Sequence, residues 1–342
     1  MSFSLNNYKL RCELLGHSKD VRSVTAAAEQ IEGGQIIVSG SRDKTTKLWK
    51  PLDQFYIESV TLQDHKNFVA CVFYHEGERW LCTGSNDATV CIYQENSLVP
   101  ILTLKGHEST VCSIAAGVEP QSIITGSWDK TARIWTIDQS GGINFVELKG
   151  HDAAVWAVAS LPKSKKFITG SADKNIIFWN TKGERLRMLK GHTDCVRGVL
   201  ALDSGGLISC SNDATIRVWN EDGECVQQMN GHSNYIYALA QLKALSNDCI
   251  VSCGEDSTLR MWNIANGEEQ GIPLIHPAQS VWSVACLNNG DIVTGSSDGI
   301  VRVFTKDPQR MASEAMQSAY QMTVESRRQQ MSEELGGIKK TE

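Results

Sequence analysis

TGSWDKTARIW, residues 125–135, reads as strand, tight turn, strand: β-branched and aromatic residues flank Ser127-Trp128-Asp129-Lys130. Six further segments align on its aspartate, giving Asp43, Asp87, Asp129, Asp173, Asp213, Asp256 and Asp298 at a spacing of about 42 residues. Four residues before each stands a hydroxyl: Ser39, Thr83, Thr125, Thr169, Ser209, Ser252 and Thr294. Six residues after each stands an aromatic: Trp49, Tyr93, Trp135, Trp179, Trp219, Trp262 and Phe304. A Gly-His or Asp-His opens the first six repeats, at His17, His65, His107, His151, His192 and His232. Within one repeat, AAVWAVASL, KFITGS, NIIFWN and RLRMLKGH are short, alternating and separated by turn residues, so each unit predicts four strands. One such unit cannot bury both its faces; seven stacked radially can.

The His opening, the Ser/Thr-Gly-Ser-x-Asp turn and the closing aromatic resemble the WD-repeat family across roughly residues 8–306. The resemblance implies an all-β fold, a seven-bladed β-propeller. Repeat seven has only three strand-like segments, near 281–287, 291–296 and 300–304. The unassigned YKLRCELL, residues 8–15, is therefore expected to pair with 300–304 and close the ring, leaving no open sheet edge. This makes residues 1–306 the propeller and 307–342 a helical linker or tail. Asp307-Pro308 suits a helix start and Gly336-Gly337 its end, with Met311, Ala315, Ala319 and Met322 partly on one side. A solvated helix is the expectation for it, rather than a docked arm.

Composition sets limits on function. The chain has 342 residues, 41% hydrophobic and 21% charged, with a formal net charge of −6, so no basic footprint for nucleic acid exists. No apolar run approaches the ~18 residues of a membrane span, and the amino terminus lacks a secretory pattern. The eleven cysteines show no framework spacing and read as small buried hydrophobes of a reducing compartment. Cys249 and Cys253 have no second pair at ligand distance, so neither a metal nor a cofactor is expected.

Histidine, hydroxyl and aspartate in one repeat invite a hydrolase reading. A nucleophile site is one exposed, strained copy beside an oxyanion hole, whereas this set recurs around the ring. In the WD-repeat family the set is a buried tetrad. The resemblance thus assigns structure, not catalysis, to His17/Ser39/Asp43/Trp49, His107/Thr125/Asp129/Trp135, His151/Thr169/Asp173/Trp179, His192/Ser209/Asp213/Trp219 and His232/Ser252/Asp256/Trp262. Repeat two closes on Tyr93. Repeat seven closes on Phe304, which cannot donate, and its His276 stands one place out of line, so that tetrad should be incomplete.

In this fold the Asp turn and the start of the innermost strand share one face. The residue before each Asp (Arg42, Asn86, Trp128, Ala172, Asn212, Glu255, Ser297) and one position of the innermost strand (Arg22, Ala70, Cys112, Trp156, Arg197, Tyr237, Trp282) should lie there, with Asp20, Phe68 and Tyr235 two residues earlier. Trp156, Arg197, Tyr237 and Trp282 occupy equivalent places in four successive repeats and should line one arc of the channel mouth. Trp128 stands on the neighbouring repeat, where adjacent blades and a partner would cover it. Aromatic and Arg clusters of this kind dominate binding hot spots.

SGSRDKTTKLW, GSWDKTARIW, GHDAAVWAV, TGSADKNIIFW, DCVRG, NYIYAL, PAQSVWSV and NGDIVTGSSDGIVRVF together are similar to the amino-terminal propeller of the phospholipase A-2-activating protein family. That resemblance implies a non-catalytic, ubiquitin-binding module in ubiquitin-dependent degradation and sorting. It implies a cytoplasmic and nuclear monomer whose AAA segregase partner, valosin-containing protein, binds elsewhere on a longer chain. Trp128, Trp156, Tyr235, Tyr237 and Trp282 would meet ubiquitin's apolar patch, with Phe68 extending the set. Asp20 and Glu255 would meet its basic rim, while Arg22, Arg42 and Arg197 fit that rim less well. The alternative is a scaffold or receptor for a phosphopeptide, histone tail or ligase substrate. None of the third strands ends in the Trp-Asp-x-Arg of a ligase-adaptor box, and aromatics separate the arginines that a phosphopeptide would need together.

Overall fold

The repeat turn is built the same way seven times. The residue after each Asp is left-handed, with φ from 59° to 81° at Lys44, Ala88, Lys130, Lys174, Ala214, Ser257 and Gly299. Only the last is glycine, so side chains must hold the other six against a strain of about 1 kcal/mol each. In repeat three, Ser127 Oγ accepts from Asp129 N–H (3.1 Å) and Asp129 Oδ1 accepts from Thr131 N–H (2.9 Å). Gly126 of the same turn is required by close approach: a Cβ there would stand 2.9 Å from Val158 Cγ1 of the next repeat.

The computed structural model describes residues 4–338 except 32–33, 139 and 203–204. Its strands form seven antiparallel sheets, of which blade four (Val155–Leu161, Lys166–Ser171, Ile176–Trp179, Arg185–Leu189) is representative. The apolar core lies between blades, where branched aliphatics of one sheet meet the tetrad tryptophan of its neighbour; Val155, Phe167, Ile177 and Trp179 pack with Ile124 and Leu148. In blade six the outer strand is broken into Glu268–Glu269 and Leu274–Ile275, and the amino-terminal segment fills the gap. Leu5 N–H donates to Gln270 O (2.9 Å), and Ile272 N–H donates to Asn6 Oδ1 (2.6 Å).

The ring closes by exchange of chain ends. Lys9–Leu14 pairs with Val301–Thr305, in the register Lys9↔Thr305 to Leu14↔Val301. A bulge between Leu10 and Cys12 leaves Arg11 unpaired and turns it inward. Arg11 Nη1 meets Asp291 at 2.8 Å with both side chains essentially dry, and Nε donates to Gln54 O (2.9 Å), so one guanidinium joins blades seven and one.

The tail departs from the solvated helix expected of it. Asp307 caps a short 3-10 turn, Pro308–Arg310, and the helix proper runs from Glu314 to Ile338, past Gly336-Gly337. Residues 339–342 lie outside the described residues. The helix presents Tyr320 and Val324, 6% and 3% exposed, to a core containing Phe304 and Leu10. Met322 instead faces solvent at 68% exposure. Gln317 Nε2 donates to Leu10 O (2.6 Å), fastening the helix to the closing strand. The anchors are therefore not Met311, Ala315, Ala319 and Met322. A near-even spread of apolar residues around the helix hides the true contact stripe, which only the groove beside Phe304 selects.

Candidate functional site

The tetrads come together in five blades. In blade four Trp179 Nε1 donates to Thr169 Oγ1 (2.8 Å), Thr169 Oγ1 meets His151 Nε2 (2.7 Å), and His151 Nδ1 meets Asp173 (2.7 Å). Trp49, Trp135, Trp219 and Trp262 reach Ser39, Thr125, Ser209 and Ser252 at 2.8 Å. His17, His107, His192 and His232 link those hydroxyls to Asp43, Asp129, Asp213 and Asp256. Burial alone would raise these aspartates, but hydrogen bonds from the histidine and neighbouring residues prevail and hold them below the usual carboxylate range.

The two irregular repeats solve the problem differently. In blade two the Tyr93 hydroxyl donates to Asp64 (2.9 Å) and leaves Thr83 to His65. In blade seven His276 still reaches Thr294 (3.2 Å) despite its displaced position, but Asp298 pairs with Arg302 instead. Arg302 also takes Glu13 of the closing strand at 2.6 Å, so the closure supplies what the tetrad lacks. His276 is fully buried, and desolvation, then the Arg302 charge, push it well below its ordinary value. A histidine kept neutral when folded binds a proton only on unfolding, so its contribution is complete above pH ~6.5 and falls below that. The thermal midpoint should therefore decline between about pH 6.5 and 5, above the range where the aspartates titrate. His276→Gln should flatten that limb; an unchanged slope would show the assignment wrong.

His75 belongs to none of the tetrads. It packs edge-on to Trp80 and accepts the Glu78 N–H (3.2 Å), shaping the turn between two strands.

Above the tetrads the two predicted rings of residues meet in every blade. The residue before each Asp donates its N–H to the carbonyl of the residue two before the innermost position, as in Trp128 N–H to Thr110 O and Glu255 N–H to Tyr235 O, both 2.9 Å. The innermost positions share one further property. A register shift places Arg22, Ala70, Cys112, Trp156, Arg197, Tyr237 and Trp282 each as the extra residue of a β-bulge. An extra residue has no cross-strand partner, and its side chain is released toward the mouth of the channel.

Six side chains then stack into a continuous arc. The Trp128 and Trp156 rings are 5.1 Å apart; the Arg197 guanidinium lies 3.8 Å from Trp156 and 4.8 Å from Tyr237. Tyr237 stacks on Trp282 at 4.5 Å, and Arg22 covers the other face of Trp282 at 3.7 Å. Arg197 is thus a rung between two aromatics, and Arg22 caps the end of the arc. Burial, then repulsion from Arg42 and Arg197, lowers Arg22 to about 10. Small Ala70 and Cys112 complete the ring and leave a cavity of about 210 Å³. Along the arc, Trp128 Nε1, Trp282 Nε1 and Arg22 Nη1 are buried without a hydrogen-bond partner.

The expected rim is only partly assembled. Glu255 is engaged rather than free: it accepts from the Tyr237 hydroxyl (2.9 Å) and from Ser280 Oγ (2.5 Å). Asp20 pairs with Arg42 (3.3 Å), which also lies 5.9 Å from Phe68, in a separate cluster on blades one and two. Tyr235 stands at the edge, 43% exposed. Burial raises the Cys112 and Cys195 thiols to about 12 and 11, so neither is an activated nucleophile. Among the described residues no cluster of histidine, cysteine and carboxylates has metal-binding geometry, and no helix is long and apolar enough to cross a membrane.

The WD domain, G-beta repeat, family matches seven segments: residues 8–50, 58–94, 98–136, 143–180, 183–220, 223–263 and 272–305. The ubiquitin homeostasis protein lub1 of Schizosaccharomyces pombe is 39% identical over 98% of this chain and 45% of its own length. Phospholipase A-2-activating protein of Xenopus laevis is 42% identical over 39% of the chain and 17% of its own length. The chain therefore spans less than half the length of these relatives. The crystal structure of the WD40 β-propeller domain of Doa1 superposes with a TM-score of 0.80 at 35% identity, over 91% of this chain and 100% of that domain. The chain belongs to the WD-repeat family, alongside the propellers of lub1, phospholipase A-2-activating protein and Doa1.

Proposed function

We propose that this propeller is a non-catalytic ubiquitin-binding adaptor module that binds through the stacked arc at its channel mouth. The observation that carries the reading is the continuous run Trp128–Trp156–Arg197–Tyr237–Trp282–Arg22, half-buried, with unpartnered donors at both ends. Aromatic rings and guanidiniums held in one surface, with donors awaiting acceptors, suit a protein partner with an apolar patch and exposed carbonyls. The relatives support ubiquitin as that partner: one is named a ubiquitin homeostasis protein, another the ubiquitin fusion degradation protein 3 homolog of Caenorhabditis elegans. With Glu255 engaged and Asp20 paired, the arc itself rather than an acidic rim supplies the contact. We assign the AAA segregase, valosin-containing protein, to regions that the longer relatives carry outside the matched segment, and the whole protein to cytoplasm and nucleus.

A single small patch gives weak affinity. A dissociation constant on the order of 100 μM corresponds to about −5.5 kcal/mol, and several modules on one chain would raise it. Titrating isotope-labelled ubiquitin with this propeller should shift resonances of ubiquitin's apolar patch. Trp282→Ala and Tyr237→Ala, checked for an unchanged fold, should abolish the shifts. No response at millimolar propeller would reject ubiquitin and favour a phosphopeptide or other peptide ligand.

A further inference from the structure

A second cavity, of about 200 Å³, lies between blades one and two, away from the stacked arc. Its lining comes from strand ends remote from the Asp turns. Ile36, Val38, Leu48, Val60 and Leu81 make the wall, and Leu98 forms the lip. Lys50, Tyr74, Tyr93, Gln94, Glu95, Asn96 and Ser97 add polar groups to the lining, and two of them carry a buried atom without a partner. Tyr74 is 8% exposed, and its hydroxyl is buried with no hydrogen-bond partner. Glu95 holds Arg79 through Oε2 at 2.6 Å, while its Oε1 is buried with no partner. Buried polar atoms normally find partners, and two residues of one cavity lining that each carry an orphan mark a place where a ligand would supply them.

The chemistry of that ligand follows from the lining. A carboxylate oxygen only accepts, so the ligand must donate. Arg79 already neutralises Glu95, and Lys50 also lines the cavity, which disfavours a cationic donor. The aliphatic wall of Ile36, Val38, Leu48, Val60 and Leu81 calls for an apolar body, with Gln94, Asn96 and Ser97 at its margin. An engineered cavity of about 150 Å³ admits benzene, so the space here suits one ring system slightly larger. Beyond the lip, Leu98 and Val99 are 64% and 66% exposed, an apolar surface that continues past what a free metabolite would cover.

We propose that this cavity is a second binding site, which receives a tryptophan side chain from an extended segment of a partner protein. The indole ring fills the apolar space, its N–H donates to Glu95 Oε1, and the Tyr74 hydroxyl donates to a carbonyl of the partner segment. The site is independent of the channel mouth and of ubiquitin.

The probe is N-acetyl-tryptophanamide, followed on methyl resonances of Val38, Leu48 and Leu81. Saturable shifts confined to these methyls are expected. The benzothienyl isostere, which replaces the N–H by sulfur, should bind roughly tenfold more weakly, and so should the indole probe to Glu95→Met. Tyr74→Phe, which preserves packing, should weaken the amide probe but not free indole. Ubiquitin binding by Glu95→Met should equal wild type, so failure of one site does not implicate the other. Absence of shifts at 10 mM probe (roughly the −2.7 kcal/mol limit), or equal binding of the isostere, overturns the proposal.

Discussion

Arg11→Met is expected to lower the unfolding free energy by about 3–5 kcal/mol, because it leaves a buried charge without its main partner. Asp291 is completely buried and meets Arg11 Nη1 at 2.8 Å; its other cation, Arg310, also 2.8 Å away, is only partly covered. The same change removes the hydrogen bond to Gln54 O and so loosens blade one from blade seven. Methionine preserves most of the apolar stem, so the loss reads the charge rather than the volume. Asp291→Asn in the same chain should restore a large part of the stability, since no unpaired charge then remains. Denaturant titrations of the single and double variants, compared at equal slope, measure the coupling. A loss below about 1 kcal/mol for the single variant would mean that the closure does not depend on this pair.

Thr169→Val should cost about 2–5 kcal/mol, because the hydroxyl serves two buried groups at once. It accepts from Trp179 Nε1 (2.8 Å) and bonds His151 Nε2 (2.7 Å), and it is fully buried. Valine has nearly the same shape, so packing survives while two polar groups lose their partner. Asp173→Ala should destabilise blade four through the same network and leave the channel mouth intact. Thr83→Val supplies an internal comparison, since Tyr93 donates to Asp64 and Thr83 has only His65 to lose. Its penalty should be roughly half that of Thr169→Val. Chemical denaturation of the three variants, with ubiquitin titration of each folded form, tests both halves. Wild-type stability with lost binding in Asp173→Ala would refute the structural role of the tetrad.

The architecture was legible because repetition multiplies a weak local signal. One Ser-x-x-x-Asp turn followed by an aromatic means little, but seven in register define both the unit and the ring. The tetrads were legible for the same reason, down to the deficits at Tyr93 and Phe304. The surface positions could also be listed, since one set stands directly before each Asp and the other five residues after the opening His of the first six repeats. Their physical state could not. The sequence marks Arg22 and Arg197 as ill-matched to a basic rim, whereas the ring sets Arg197 between Trp156 and Tyr237 and lays Arg22 on Trp282. It offers Glu255 as a free carboxylate, whereas Tyr237 and Ser280, contributed by two different blades, consume it.

The tail and the second cavity were illegible for another reason. Tyr320 gains its place only from Phe304 and Leu10, and Tyr74 and Glu95 of blade two meet their aliphatic wall only where blade one packs against them. Such contacts carry no periodicity. The amino-acid sequence by itself therefore determined everything set by local spacing: seven blades, their turns, their buried hydrogen-bond networks and the exchange of chain ends that closes them. Tertiary structure alone decided which side chains touch across blade boundaries. There the bulge in each innermost strand frees a side chain from its own sheet, and the neighbouring blade determines whether it stacks, pairs or waits for a partner.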